Sequence, residues 1–291
     1  MATKRKILLP VLGIVAVGVL AWLLFREPPE PVYQGKPLSV WLKSFDMGNS
    51  KEDADVAADA VRHIGTKALP KLLGMISSKD RNSRWESVLS WINGRQSVVH
   101  APVQIGLIRR MRAVSAFHAL GASAKPAVPG LAQVLFKDPG NEEASAAMVV
   151  IGPEAMPAVM QGVTNSDPKI REVAVKTLGG MSFDANTVVP VLIKSLKDGS
   201  GEVRFSAALS LGNFAQKAAV SVPALAESLS DKDDKVRRVA LYSLGRLGSE
   251  AHMALPAIKR ALDDPSKGVR SAATNALKKV DPEAAAEPGI R

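Results

Sequence analysis

The sequence predicts an all-α chain: an α-solenoid, or superhelix, of stacked helical hairpins, led by one N-terminal transmembrane helix. Three observations predict it. Residues of matching type recur every 33 positions. The apolar spacing inside each period is that of one helix face. A run of 19 uncharged residues stands near the N-terminus. The composition agrees, with 46% of residues apolar but only 4% aromatic. Ala, Val and Leu dominate, which suits close helix–helix packing. Strands favour aromatic and β-branched side chains, so a β-sandwich fits poorly. The chain has no cysteine, which excludes disulfides, iron–sulfur clusters and thiolate zinc sites.

The uncharged run is Ile7 to Phe25. At ~1.5 Å per residue it spans roughly 28 Å, close to the ~30 Å hydrocarbon core. Trp22 sits near its far end, where aromatic residues favour the membrane interface. Lys4, Arg5 and Lys6 precede it and hold that end in the cytoplasm, so the bulk of the chain faces the periplasm or exterior. Residues 1–25 therefore read as a signal anchor in the cytoplasmic membrane. A cleaved signal peptide is the second reading, with Val19-Leu20-Ala21 as its cleavage site and Trp22-Leu-Leu-Phe25 counting against it.

Residues 26–51 form a neck. Pro28, Pro29 and Pro31 forbid helix and make an extended spacer. Leu38, Trp41, Leu42 and Phe45 then fall on one helical stripe. That stripe is suited to cap the first repeat.

Repeats fill residues 52–280. Arg171, Arg204, Arg237 and Arg270 are spaced by 33, as are Pro190, Pro223 and Pro256, and Leu178, Leu211, Leu244 and Leu277. A further apolar column reads Met181, Phe214, Leu247 and Val280. Gly248 marks a helix stop, and Pro256 the first turn of a second helix. Each unit is helix, turn, helix, turn. Units are expected near 52–80, 109–138, 141–165, 168–198, 201–231 and 234–264, with a seventh first helix near 267–280. Residues 281–291 read as a flexible tail.

Asp198 with Arg204, Asp231 with Arg237, and Asp264 with Arg270 repeat the motif Asp-x5-Arg, with a valine before each arginine. Asn165 replaces the acid ahead of Arg171. On these residues the chain resembles the HEAT repeat family, in particular the short bacterial repeats of phycobilisome lyases. Gly35-Lys-Pro-Leu-Ser-x-Trp-Leu42 is similar to the start of membrane-anchored bacterial HEAT repeat proteins. The resemblance implies that the arginines pair with turn acids and carbonyls of neighbouring repeats, forming a structural ladder. It also implies that second helices line a concave face. Lys194, Lys197, Glu227, Lys259 and Arg260 would then stand there. Lys194, Glu227 and Arg260 share one column of mixed sign, whereas a groove for a phosphate backbone should be more uniformly positive.

Residues 81–108 interrupt the array. Arg84-Trp-Glu-Ser-Val-Leu-Ser-Trp-Ile92 can form a helix, and Asn93-Gly94 a turn. Two readings stand: an irregular repeat whose Trp85 and Trp91 plug the core, or a partner-binding element in which Trp85, Trp91 and Arg95 join Lys194 and Arg260 as contact residues.

His63, His100, His118 and His252 show no metal-ligand spacing, and Asp233-Asp234 and Asp263-Asp264 fit turns and helix starts. No nucleophile elbow, phosphate loop or dinucleotide fingerprint is present in the sequence. The reading is a non-catalytic scaffold that binds protein partners. No catalytic residue, metal, cofactor or small-molecule substrate is expected. Nucleic acid is a disfavoured partner: net charge is +10, but three of those charges precede the anchor. The alternatives are a lyase-type enzyme subunit, implied by the resemblance to bilin lyases, and a nucleic-acid-binding HEAT-like protein.

Overall fold

A computed structural model describes residues 29–46, 48–78 and 105–286. The expected anchor at 7–25 and most of the insert, with Trp85, Trp91 and Arg95, lie outside the described residues.

The described chain opens with a small cap. Val32–Tyr33 (β1) pairs antiparallel with Lys36–Pro37 (β2) across a turn at Gln34 and Gly35, both with positive φ. Leu38–Leu42 (α1) follows and buries Leu38, Trp41 and Leu42. Trp41 Nε1 donates to the Tyr33 carbonyl at 3.2 Å. The Tyr33 ring stacks on His63 with centroids 4.7 Å apart. Glu30 accepts the Ser39 N–H at 2.9 Å and pairs with Lys71 at 3.1 Å. The cap thus packs apolar side chains and satisfied polar groups on the first hairpin, an end that would otherwise face water.

Six hairpins follow among the described residues. They are Lys51–Ile64 (α2) with Leu69–Ser77 (α3), Ile105–Leu120 (α4) with Val128–Lys137 (α5), and Glu142–Ile151 (α6) with Met156–Val163 (α7). Then come Pro168–Gly180 (α8) with Ala185–Ser195 (α9), Gly201–Leu211 (α10) with Ala218–Glu227 (α11), and Asp234–Leu247 (α12) with Leu255–Arg260 (α13). Lys267–Val280 (α14) and the short Pro282–Ala285 (α15) close the described array. In four hairpins a glycine with positive φ stops the first helix: Gly65, Gly121, Gly152 and Gly248, at 51° to 86°. A side-chain-bearing residue adopts that backbone at a cost. Glu142–Val163 is apolar and long enough to cross a membrane by composition alone. Its bend at Gly152 makes it the third hairpin instead.

The columns read from sequence are buried. Val203, Val236 and Val269, the four leucines from Leu178 to Leu277, and Met181, Phe214, Leu247 and Val280 all lie in the core. They mesh between successive hairpins, so the core is a strip running along the stack.

Four expectations need correction. Pro256 sits in the first turn of α13, but Pro190 and Pro223 lie inside α9 and α11. Those helices start about a turn earlier, and α9 is held there by Asp184, which accepts the Thr187 N–H at 3.2 Å. The carbonyls that the two prolines leave unbonded belong to Asn186 and Ala219, both exposed residues that water can reach. The last four residues of the insert, 105–108, are the first turn of α4. The tail is helical over 282–285, because Asp281 caps it by accepting the Ala284 N–H at 2.9 Å and Ala284 is buried.

The fourth correction concerns the layers. The first helices pack directly on one another, while successive second helices touch at few points. Gly179, Gly212 and Gly245 allow the close approach. A Cβ on Gly179 would lie 2.5 Å from the Ser210 Cβ, and one on Gly212 would lie 2.9 Å from the Ser243 Cβ. Ser243 Oγ donates across this seam to the Ala208 carbonyl at 2.8 Å, and Asn213 Nδ2 to the Gly179 carbonyl at 2.9 Å. In a curved stack the more closely spaced layer is the inner one. The first helices therefore form the concave side, and Lys194, Lys197, Glu227, Lys259 and Arg260 stand on the outer, second-helix side.

Candidate functional site

The arginine column is wired in series. Arg204 donates from Nε and Nη2 to the two carboxylate oxygens of Asp231, at 2.7 and 2.8 Å. Its Nη1 donates to the Asp198 carbonyl at 3.0 Å. Arg171 repeats the arrangement on Asp198 at 2.8 Å twice, and Arg237 on Asp264 at 2.8 and 2.9 Å. Each aspartate also accepts an N–H two residues on, from Ser200, Asp233 or Ser266, and so shapes its own turn. Every acid therefore joins two repeats: its carbonyl takes the arginine of its own motif, and its carboxylate takes the arginine of the repeat before. Arg270 keeps the carbonyl half of the pattern, to Asp264 and Pro265 at 2.7 and 3.0 Å. Arg171 uses the Asn165 carbonyl at 2.9 Å, so asparagine replaces aspartate there without losing the main-chain contact.

These pairs shift the carboxyls. The Arg171 fork holds Asp198 below the usual carboxylate range, and the Arg237 fork does the same to Asp264. At Asp231 burial pushes upward, but hydrogen bonds from Arg204 and the Asp233 N–H outweigh it and the net shift is downward. Planar guanidinium and planar carboxylate match in a two-point contact that lysine cannot make.

Towards the N-terminus the stitching changes. Arg110 pairs with Glu143 at 3.2 Å, Lys176 with Glu142 at 2.8 Å, and Arg112 with Asp46. Asn141 donates to the Ile76 carbonyl at 3.0 Å. Arg110 and Glu143 stand 33 residues apart, but none of these pairs recurs from repeat to repeat as the arginine–aspartate pairs do, because the hairpins there are shorter or interrupted.

The ladder thus uses its charges internally. Asp233 is a helix cap, accepting the Lys235 N–H at 2.9 Å. Among the described residues no group of three or more His, Asp or Glu side chains could hold a metal. The exposed Lys194 and Arg260 lie on α9 and α13, in different hairpins and apart from the ladder.

One concavity on the inner layer was not read from sequence. It is a trough of about 350 Å³ across α10, α12 and α14. Phe205, Leu209 and Tyr242 give it apolar walls, Gly245 lets Ala276 approach as its floor, and Arg238 and Lys279 stand at its rim. Tyr242 is 52% exposed. The available signal was the placement of Phe205, Leu209 and Tyr242 on first helices outside the buried columns.

Stacked hairpins joined by a buried arginine–aspartate ladder define an α-solenoid. The family model of HEAT repeats matches residues 156–232 and 222–288, and that stretch consists of HEAT repeats. No curated protein matches the chain. Among solved structures, the chain is similar to the complex of CpcE and CpcF of phycocyanin lyase from Nostoc sp. PCC7120, at 24% identity over 52% of this chain and 98% of that one, with a TM-score of 0.47. It is similar to Kap95p in a structure with RanGDP, at 16% identity over 79% of this chain and 36% of that one, TM-score 0.47. It is also similar to a designed armadillo repeat protein bound to the peptide (KR)4, at 15% identity over 84% and 98%, TM-score 0.40. At these identities and scores the likenesses assign no activity, ligand or partner to this chain.

Proposed function

We propose that the chain is a non-catalytic scaffold, held in the cytoplasmic membrane by residues 7–25, that presents its repeat surface to a protein partner on the outer side. The observation that carries this reading is the exposed apolar trough on the inner layer of a stack whose ladder charges are already paired. An exposed tyrosine between apolar neighbours is the composition of a protein-binding hot spot. The neck at 26–51 joins that segment to the solenoid, and its residues from Glu30 to Phe45 pack on the first hairpin as a cap. The insert at 81–108, with Trp85, Trp91 and Arg95, and the outer-face Lys194 and Arg260 are secondary contact candidates.

The test is crosslinking in native membranes, followed by identification of the captured proteins, with a chain lacking 81–108 for comparison. The reading requires membrane recovery that depends on residues 7–25 and a reproducible protein partner. Strong binding of DNA by the purified chain at physiological salt, or attachment of bilin to a substrate protein in its presence, would replace it.

A further inference from the structure

We infer that the trough across α10, α12 and α14 receives an acidic, extended segment of a partner protein, anchored by an aromatic or aliphatic side chain. The inference rests on the scaffold reading above and gives its partner a chemistry. The floor and walls are apolar, and Tyr242 lies half in water, so the trough offers area to bury without first having to open. A space of about 350 Å³ accepts one or two large side chains. That is near the lower end of small-molecule sites, and here the space lies open along a helix layer, where a passing chain can continue to either side.

Charge decides the flanking residues. Arg238 and Lys279 line the trough, and no acid does. Neither makes an ion pair among the described residues, in contrast to the ladder arginines one face away. On the same helix as Tyr242, Arg246 donates to Asn213 Oδ1 at 2.6 Å, an interaction that leaves its charge uncompensated. Two cations at the rim of an apolar floor favour carboxylates beside the anchoring side chain and reject a basic segment by like-charge repulsion. The nearest carboxylates on these helices, Glu202 and Asp234, are hydrogen-bonded to Ser200 and Ser266 at the helix starts.

The experiment uses the full chain in detergent micelles to select from a displayed library of random 12-residue peptides. Selected peptides should combine Phe, Leu, Ile or Trp with at least two Asp or Glu. Their affinity should fall at least tenfold for Arg238→Glu and for Tyr242→Ala, both at exposed positions where folding is not at stake. Enrichment of basic or purely apolar peptides, or binding indifferent to both substitutions, overturns the inference. A photocrosslinking residue placed at 242 or at 194 in native membranes separates the two levels. Capture of an acidic segment from 242, lost with Arg238→Glu, supports the trough. Capture from 194 alone overturns the trough and leaves the scaffold standing, and capture of no protein from either overturns both.

Discussion

Arg204 and Asp231 form a two-point pair 27 positions apart in the chain, and the Arg204 residue is only 6% exposed. The pair spans a repeat boundary, so it couples the folding of α10 to that of the next turn. Arg204→Ala leaves the Asp231 carboxylate buried without its partner and should cost about 3 kcal/mol. Arg204→Lys keeps the charge but loses the fork, and should cost less. Arg270→Ala removes carbonyl contacts only and should cost about 1 kcal/mol. Denaturant midpoints rank the three variants. Equal losses at 204 and 270 would show that the carboxylate half of the ladder contributes nothing.

The ladder also sets the response to acid. Asp198, Asp231 and Asp264 have folded pKa values below the ~3.9 of an unfolded aspartate. A depressed carboxyl stabilises the fold while ionised. Its contribution is complete above the unfolded pKa and fades as pH falls through the folded one. The melting temperature should therefore be flat from neutrality to about pH 5 and decline below about pH 4. Asp231→Asn should lower it at neutral pH and flatten the acid decline. An unchanged acid decline in that variant places the titration elsewhere.

Sequence showed what the period carries and hid what lateral spacing creates. Val203, Leu211 and Phe214 were legible as core because their columns repeat every 33 residues and share a helix face. The arginine and aspartate columns were legible for the same reason. The inner layer was misassigned, because a column of residues does not state how near its helices come. That distance is set by Gly179 against Ser210 and Gly212 against Ser243. Those small residues also recur at 33, so the signal existed, but its meaning needed the partner helix. The trough depends on three helices at once, and no single helix pattern contains it. In the N-terminal half, Arg110 with Glu143 and Asn141 with the Ile76 carbonyl belong to no recurring column of pairs, and only the fold shows that they meet.

The glycine seam gives opposite outcomes for one substitution at two sites. At Gly179 an added methyl meets the Cβ of Ser210 at 2.5 Å and its Cα at 3.2 Å. Backbone cannot rotate away, so α8 and α10 must separate. Gly179→Ala should cost about 2 kcal/mol, despite the better helix propensity of alanine. At Gly74, inside α3, an added methyl meets nothing within 4 Å. Gly74→Ala should stabilise by about 0.5–1 kcal/mol. Thermal melts of the pair test whether packing or propensity governs each site.

The cap tests the architecture itself. Trp41 is buried, donates to the Tyr33 carbonyl, and lies beneath Lys36, whose Nζ is 4.8 Å from its ring centroid. Trp41→Ala removes that packing and should cost about 3 kcal/mol where the cap meets the first hairpin. In a stack that contacts only its neighbours, the loss has nowhere else to go directly. Amide exchange should accelerate through 38–77 and remain near its original rate in 201–260. The C-terminal hairpins keep their own ladder at Arg204 and Arg237, which the cap does not touch. Equal acceleration in every helix would mean that the hairpins unfold as one cooperative body, and the nearest-neighbour account of this fold would have to be abandoned.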